Sequence, residues 1–520
     1  MFPRQYKNPV YPETEEAIVT TKEGKLMGCR PEDIYIFRGV PYAQAKRFEL
    51  AKPVPAWDGV RRAMRWGYVS PELTTAIAAD EELCPHVYWR AGEDCQNLNL
   101  WTPTLDPDAK LPVVVWFHGG GWVSGSGIEQ VVYDGENLSR KGQLVFVTFN
   151  SRQNCLGALD LSSVHSKYQD SVYCGLSDVL EAMRWVKRNI RFFGGDPDNV
   201  TVAGQAGGGK RAMSLLRTPE ADGLYQKMAI GSCAGECMKV PEGWTRRQIA
   251  QRMGELTVRQ LGLPLRAVEE IETLPYGILS SAVLRAEQIL KKEVPERFRW
   301  EPVADGVRIF EDPFVDEFRP QTAGIPMMMG SSFGEMKGNA RDPEKGDRKN
   351  QWSQEETLLY AREKYGEDAE YLLGEFRKAY PGHKEADLLY IDTAIRGKLN
   401  QLALRRAGAG EQVWNWVFDV ESPLRGGTVA WHCGENPYVL HNTEYSAAAC
   451  IPGISEKVEE QMSSAWISFF RTGNPNCEEI PYWPQVTPEH LPTMVFGPKT
   501  EVRTDHDQKL QQYFHGGCIE

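Results

Sequence analysis

The chain lacks any apolar stretch approaching the roughly 18 residues needed to cross a bilayer. Its opening segment, MFPRQYKNPVYPETEE, lacks the apolar core of a secretory signal. Basic runs are also missing. With 59 Lys and Arg against 71 Asp and Glu, the net charge is −12. That argues against nucleic acid or an anionic membrane as a partner. None of the 11 Cys shows zinc-ligand spacing, and no metal or organic cofactor is implied. Free thiols in a cytoplasmic protein are the expectation; Cys84 and Cys95 are the pair that could close a loop disulfide after export. No linker, low-complexity segment or internal repeat marks a boundary in the 520 residues. The oligomeric state is left open.

What is present is an alternation of apolar strands and amphipathic helices. Val113 to Phe117 is a continuous apolar run, as in a strand covered on both faces, and QLVFVTFN (143–150) is a second. In 175–195 the apolar residues Leu176, Val179, Leu180, Met183, Val186 and Ile190 recur at helical spacing. Further strands are expected at 199–203, 226–232, 325–332 and 413–420, and a helix at 455–475 with a Gly-Asn-Pro stop. This pattern predicts an α/β fold with a mostly parallel sheet and helices on both faces. Sites in such sheets lie at the carboxyl ends of the strands.

One such end carries NVTVAGQAGGGKRAMSLL (199–216), a strand, a glycine-rich turn and a helix. Gly204 to Lys210 fits a phosphate loop, but Arg211 stands where the magnesium-binding hydroxyl belongs. The turn also fits a nucleophile elbow, G-x-S-x-G, at every position but one: Ala206 is at the apex. A purely structural turn is the third reading, and four glycines would be costly in conformational entropy for it. Two other segments approach the elbow pattern, GSSFG around Ser332 and GSCAG around Cys233. Neither is followed by a good helical pattern, and an elbow needs a helix N-terminus there.

An acyl-transfer site needs more parts. HGGGW (118–122) follows the strand 113–117, and three glycines at a strand end suit an oxyanion hole, with Gly120, Gly121 and Gly207 as amide donors. The acid should lie at a strand end between elbow and base, where Glu335 fits. The base should be a later His, and both His432 and His441 lie in one stretch after the strand 413–420. His86, His165, His383, His490, His506 and His515 lie in polar loops or near the termini and read as surface residues.

Taken together, FRGVPYA, GEDCQNLNLW, HGGGW, the 175–209 segment with GGDPDNVTVAGQAGGG, HCGE and AWISFFRTGNPN resemble the type B carboxylesterase and cholinesterase-like family of α/β-hydrolases. The resemblance runs in order over nearly the whole chain. It implies an α/β-hydrolase fold in a single domain, 1–520, with helical insertions at 241–320 and 340–410 shaping the pocket. It implies a carboxylic ester hydrolase acting through a Ser-His-Glu triad and an acyl-enzyme on a small-molecule ester. The family's H-G-x-E motif falls on HCGE and makes His432 the base. Its acid loop falls on FGEMKG and makes Glu335 the acid, and its serine falls on Ala206.

Ala206 then has two readings. It is a Ser→Ala inactivation of an active esterase, or the chain is a natural, catalytically silent binding module, as neuroligin-like relatives are. Retention of His432, Glu335 and the triple glycine favours the first. The resemblance assigns the substrate pockets to the loops 68–92 and 122–133, with Trp122 as an aromatic wall.

Overall fold

The computed structural model describes residues 15–74, 81–233, 240–296, 298–314 and 316–515. The opening segment and the residues after Cys233 (234–239) lie outside these, as do residues 75–80 of the 68–92 loop.

A ten-stranded sheet organises the chain. Its strands are β1 (Tyr35–Pro41), β2 (Asn97–Thr102), β3 (Leu111–Phe117), β4 (Val145–Phe149), β5 (Gly195–Gln205), β6 (Lys227–Gly231), β7 (Met327–Ser332), β8 (Val413–Phe418), β9 (Pro492–Phe496) and β10 (Glu501–Thr504). Across the sheet the order is β10-β9-β8-β7-β6-β5-β3-β4-β2-β1. Every neighbour from β9 through to β4 is parallel. The two strands at one edge, β1 and β2, and the last strand at the other, β10, pair antiparallel.

Strand alternation divides the core. Val113, Val115 and Phe117 of β3 pack to one side, with α1 (Cys174–Asn189) and α2 (Gly207–Leu216). Val114 and Trp116 pack to the other, with Met462, Ala465, Trp466 and Phe469 of the late helix 455–472. Further helices lie at 246–261, 276–293, 354–365, 369–379 and 396–408.

Several boundaries move. β5 starts at Gly195, and α2 starts at Gly207, so the glycines 207–209 form the first turn of the helix rather than a loop before it. α1 ends at Asn189 and a 3-10 turn carries the chain to Gly194, whose φ of 76° closes it. The antiparallel pair β9–β10 was not anticipated; PTMVF and EVRT are short, although Gly497-Pro498 between them marks the turn. Cys84 and Cys95 are both free. Cys84 accepts from the Trp431 indole at 3.4 Å, whereas Cys95 lies beside Gln96 near Asp178.

The surface reading of the histidines needs correction too. Among the described residues, His490 alone of these six is exposed. His383 is wedged between Asp387 (3.0 Å) and Asp419 (2.8 Å) and stacks on Phe333. Burial opposes its charge, but these two carboxylates push its pKa up to about 10. His506 is half-buried against the Tyr380 ring, and His86 and His165 are half-buried as well. The polar neighbours that suggest a surface loop are, for His383, its partners. The His515 side chain lies outside the description. Among the described residues no helix is long and apolar enough to cross a membrane.

One buried ion pair fixes the chain behind the glycine loop. The Arg152 guanidinium donates to Asp178 of α1 at 2.7 Å and to the carbonyls of Lys46, Glu49 and Cys174. Just beyond it, the Asn154 amide donates to the Trp122 carbonyl at 2.8 Å. Removing one partner strands a buried charge, so Asp178→Ala is expected to cost about 3–5 kcal/mol. Thermal unfolding of the two proteins checks this; an unchanged melting temperature would show that the brace is dispensable.

Candidate active site

The elbow forms because β5, the glycine loop and α2 meet without room for side chains. A Cβ on Gly208 would stand 1.8 Å from the Phe117 carbonyl oxygen, and one on Gly204 would stand 2.7 Å from the Gly208 carbonyl carbon. A Cβ on Gly207 would stand 2.0 Å from the Gly121 nitrogen. These contacts are with backbone and cannot yield cheaply. The apex residue Ala206 takes φ 53° and ψ −122°, a sparsely populated conformation for an alanine, costing on the order of 1–3 kcal/mol. It is held by its amide on the Gly231 carbonyl (2.9 Å) and by Lys210 N–H on its own carbonyl (3.1 Å).

Ala206 therefore sits between two sets of groups. On one side its neighbour Gly207 packs on Gly121. Gly120 (φ 89°) and Gly121 (φ 62°) are both exposed, and the Gly120 carbonyl accepts from the amides of Val123 (2.9 Å) and Ser124 (3.1 Å). On the other side, the amide nitrogen of its neighbour Gln205 lies 3.5 Å from both ring nitrogens of His432. The Gln205 oxygen accepts from the Cys433 thiol at 3.1 Å.

His432 and Glu335 are in direct contact, Nδ1 to Oε2 at 2.5 Å. An isolated parallel bridge, Glu335 with Trp431, and a bond from Gly334 N–H to the Ala430 carbonyl (2.8 Å) join the two loops that carry them. Glu335 also accepts from the Ser332 amide and the Ser232 hydroxyl, each at 2.6 Å. His441 is elsewhere: it stands beside Ser463 and Glu459, and burial with Lys141 nearby drives its pKa down to about 4.

Behind Glu335 lies a second buried acid, Glu435, the last residue of HCGE. Its Oε2 accepts from the Ser332 hydroxyl at 3.0 Å, and its Oε1 lies 3.1 Å from Ser232 Oγ. Ser232 has one proton to give and two carboxylates beside it. With that proton on Glu335, the contact to Glu435 is satisfied only when Glu435 is itself protonated and donates. Burial first, and the charge of Glu335 second, push the Glu435 pKa up to about 7, in keeping with that arrangement.

The two competing elbow patterns dissolve in this geometry. Ser332 is fully buried, with its hydroxyl on Glu435. Cys233 is buried against Gly209, and burial pushes its thiol up to about 12. The phosphate-loop reading also lacks support, since Lys210 pairs with Glu301 at 3.7 Å. Trp122 is buried; its ring lies against Gly175 and 5.6 Å from the Arg211 guanidinium. A cavity of about 390 Å³ is lined by Val69, Leu73, Tyr88, Trp89, Val123 and Glu129 among others. Sequence reasoning missed Glu435, Ser232 and Arg211. For Glu435 the signal was there, three residues after His432 in a motif; the other two are brought in only by the fold.

A strand order of this kind, with an elbow after β5, an acid after β7 and a histidine after β8, defines an α/β-hydrolase. The chain belongs to the carboxylesterase family, whose family model matches residues 15–514. It is similar to the para-nitrobenzyl esterase of Bacillus subtilis, 29% identical over 513 residues, covering 95% of this chain and 98% of that protein. Among solved structures it is similar to an esterase from Clostridium hathewayi that can hydrolyse aliphatic aromatic polyesters. That match has a TM-score of 0.91 at 37% identity, and covers 98% of this chain and 99% of the other. It is also similar to a Geobacillus stearothermophilus carboxylesterase, with a TM-score of 0.73 at 28% identity over 96% of this chain and 99% of that one.

The Glu435 carboxyl makes a pH prediction. Its folded pKa of about 7 lies above the ordinary 4.5, so the folded protein keeps a proton that the unfolded chain releases in that window. Stability therefore falls as pH rises from 4.5 to 7. Glu435→Gln should flatten that part of the decline, read as melting temperature against pH. Parallel curves for the two proteins would refute it.

Proposed function

We propose that the chain carries the site of a carboxylic ester hydrolase whose nucleophilic serine is replaced by Ala206. The observation that carries this reading is the strained elbow at Ala206, set between the Gly120–Gly121 amides and the His432–Glu335 pair. A plain turn has no reason to hold alanine at φ 53°. With serine there, His432 takes the hydroxyl proton as Oγ attacks the ester carbonyl. Glu335 holds the imidazole through Nδ1 and stabilises its charge. The amides of Gly120, Gly121 and Gly207 receive the oxyanion, and the N-terminus of α2 adds its dipole. The alcohol leaves with the proton, and water then frees the acyl group. With alanine the acyl-enzyme cannot form.

The substrates are small esters with an apolar or aromatic part, in keeping with the aromatic lining of the cavity between the loops 68–92 and 122–133. The aliphatic aromatic polyesters that the Clostridium hathewayi esterase can hydrolyse support the same class. On this reading the chain works as one catalytic domain, framed by helical insertions at 241–320 and 340–410.

The test is hydrolysis of p-nitrophenyl esters by the chain and by Ala206→Ser. The serine variant should be faster by at least about 10³-fold. Adding His432→Ala to it should return the rate close to that of the starting chain. Silence of a folded Ala206→Ser protein across several acyl lengths would overturn the proposal and favour a binding module.

A further inference from the structure

We propose that Arg211 is a positioning residue that orients the oxyanion-binding amides of the glycine loop. This rests on the oxyanion role given to Gly120 and Gly121 above. Arg211 stands four residues after Gly207 on α2, so both project from the same face of that helix. Its side chain is fully buried beneath the loop. Nη2 donates to the carbonyls of His118 (2.7 Å) and Gly119 (2.6 Å). Nη1 donates to His118 Nε2 at 2.9 Å, while His118 Nδ1 donates to the Gly119 carbonyl at 2.9 Å. That pattern needs a neutral imidazole, and burial together with the Arg211 charge holds the His118 pKa well below its ordinary value.

The consequence follows from peptide geometry. In a trans peptide the carbonyl of one residue and the N–H of the next point in opposite directions, and the described chain contains no cis bond. Clamping the Gly119 carbonyl on Arg211 therefore turns the Gly120 N–H away from the arginine, out of the buried side of the loop. The Gly120 carbonyl, held by Val123 and Ser124, does the same for the Gly121 N–H. Three successive glycines have wide backbone freedom. Here that freedom is removed by a planar donor fork that holds two carbonyls at once, which an ammonium group matches poorly. Among the described residues no carboxylate forms an ion pair with Arg211. Its charge, offset in part by the Glu129 carboxylate, lies behind the amides in a dry environment, where it adds to their pull on a developing oxyanion.

Two measurements test this. The first uses the chain as it stands: a crystal structure of Arg211→Met. The peptide linking Gly119 and Gly120 should lose its single orientation; a folded variant with the loop unchanged would overturn the inference, whatever Ala206→Ser does. The second uses the Ala206→Ser protein, with p-nitrophenyl butyrate and its thiono (C=S) analogue. Sulfur is a poor acceptor for oxyanion-hole amides, so the thiono ester reports the rest of the machinery. Arg211→Met should lower kcat on the oxygen ester by about 10–100-fold. KM should stay within about twofold, the pH profile should keep its midpoint, and the thiono ester should be affected far less. Arg211→Lys should recover only part of the loss. Equal losses on both esters, following a fall in melting temperature, would show a merely structural role and overturn the inference. A silent Ala206→Ser protein defeats the proposed function; the crystal structure still decides whether Arg211 orients the loop.

Discussion

The backbone crossing at Phe117 and Gly208 is the constraint on which the rest depends. A single Cβ at 208 would lie 1.8 Å from the Phe117 carbonyl oxygen, so the helix N-terminus, the end of β3 and the elbow can meet only through glycine. Because they meet, Gly207 lies against Gly121, and the loop after β3 is brought to the apex of the turn after β5. The strain at Ala206 is then a product of the surroundings. The strand, the Gly231 carbonyl and the first turn of α2 over-determine its conformation. The oxygen of a serine side chain is not needed to make this geometry, which is why it persists around an alanine.

Around that crossing, buried charge is handled in three different ways. Arg152 and Asp178 neutralise each other, and the remaining guanidinium donors are taken up by carbonyls. Glu335 is an acceptor for three donors, and the acid behind it, Glu435, is driven toward its neutral form so that two carboxylates can share one serine. Arg211 donates its hydrogen bonds to carbonyls and a neutral imidazole, with the Glu129 charge acting on it without an ion pair among the described residues. Desolvation is costly for each, and geometry decides whether a counter-ion, a proton or peptide dipoles offset it. The site is thus held by polar groups that water does not reach.

The apolar strands were legible because a strand covered on both faces must be apolar along its length, and VVVWF and VFVTF are. The histidines were less legible. Residues such as His383 lie among acidic and basic neighbours, and a sequence cannot tell a solvated loop from one folded onto its own counter-ions. Trp122 looked like a pocket wall because it follows the glycine loop. In the structure its side chain is buried and its ring lies 5.6 Å from the Arg211 guanidinium. β9 and β10 were missed because strands of five and four residues are too short for their pattern to stand out.

By itself the sequence determined the class of fold, the glycine-rich turn with Ala206 at its apex and the triple-glycine loop, because each rests on local spacing or an unbroken run. The tertiary structure alone decided that Ser332 and Cys233 are buried, and that Glu435, Ser232 and Arg211 stand behind Glu335 and the glycine loop. Those facts concern atoms distant along the chain, and only packing settles which of them touch and which lose their water.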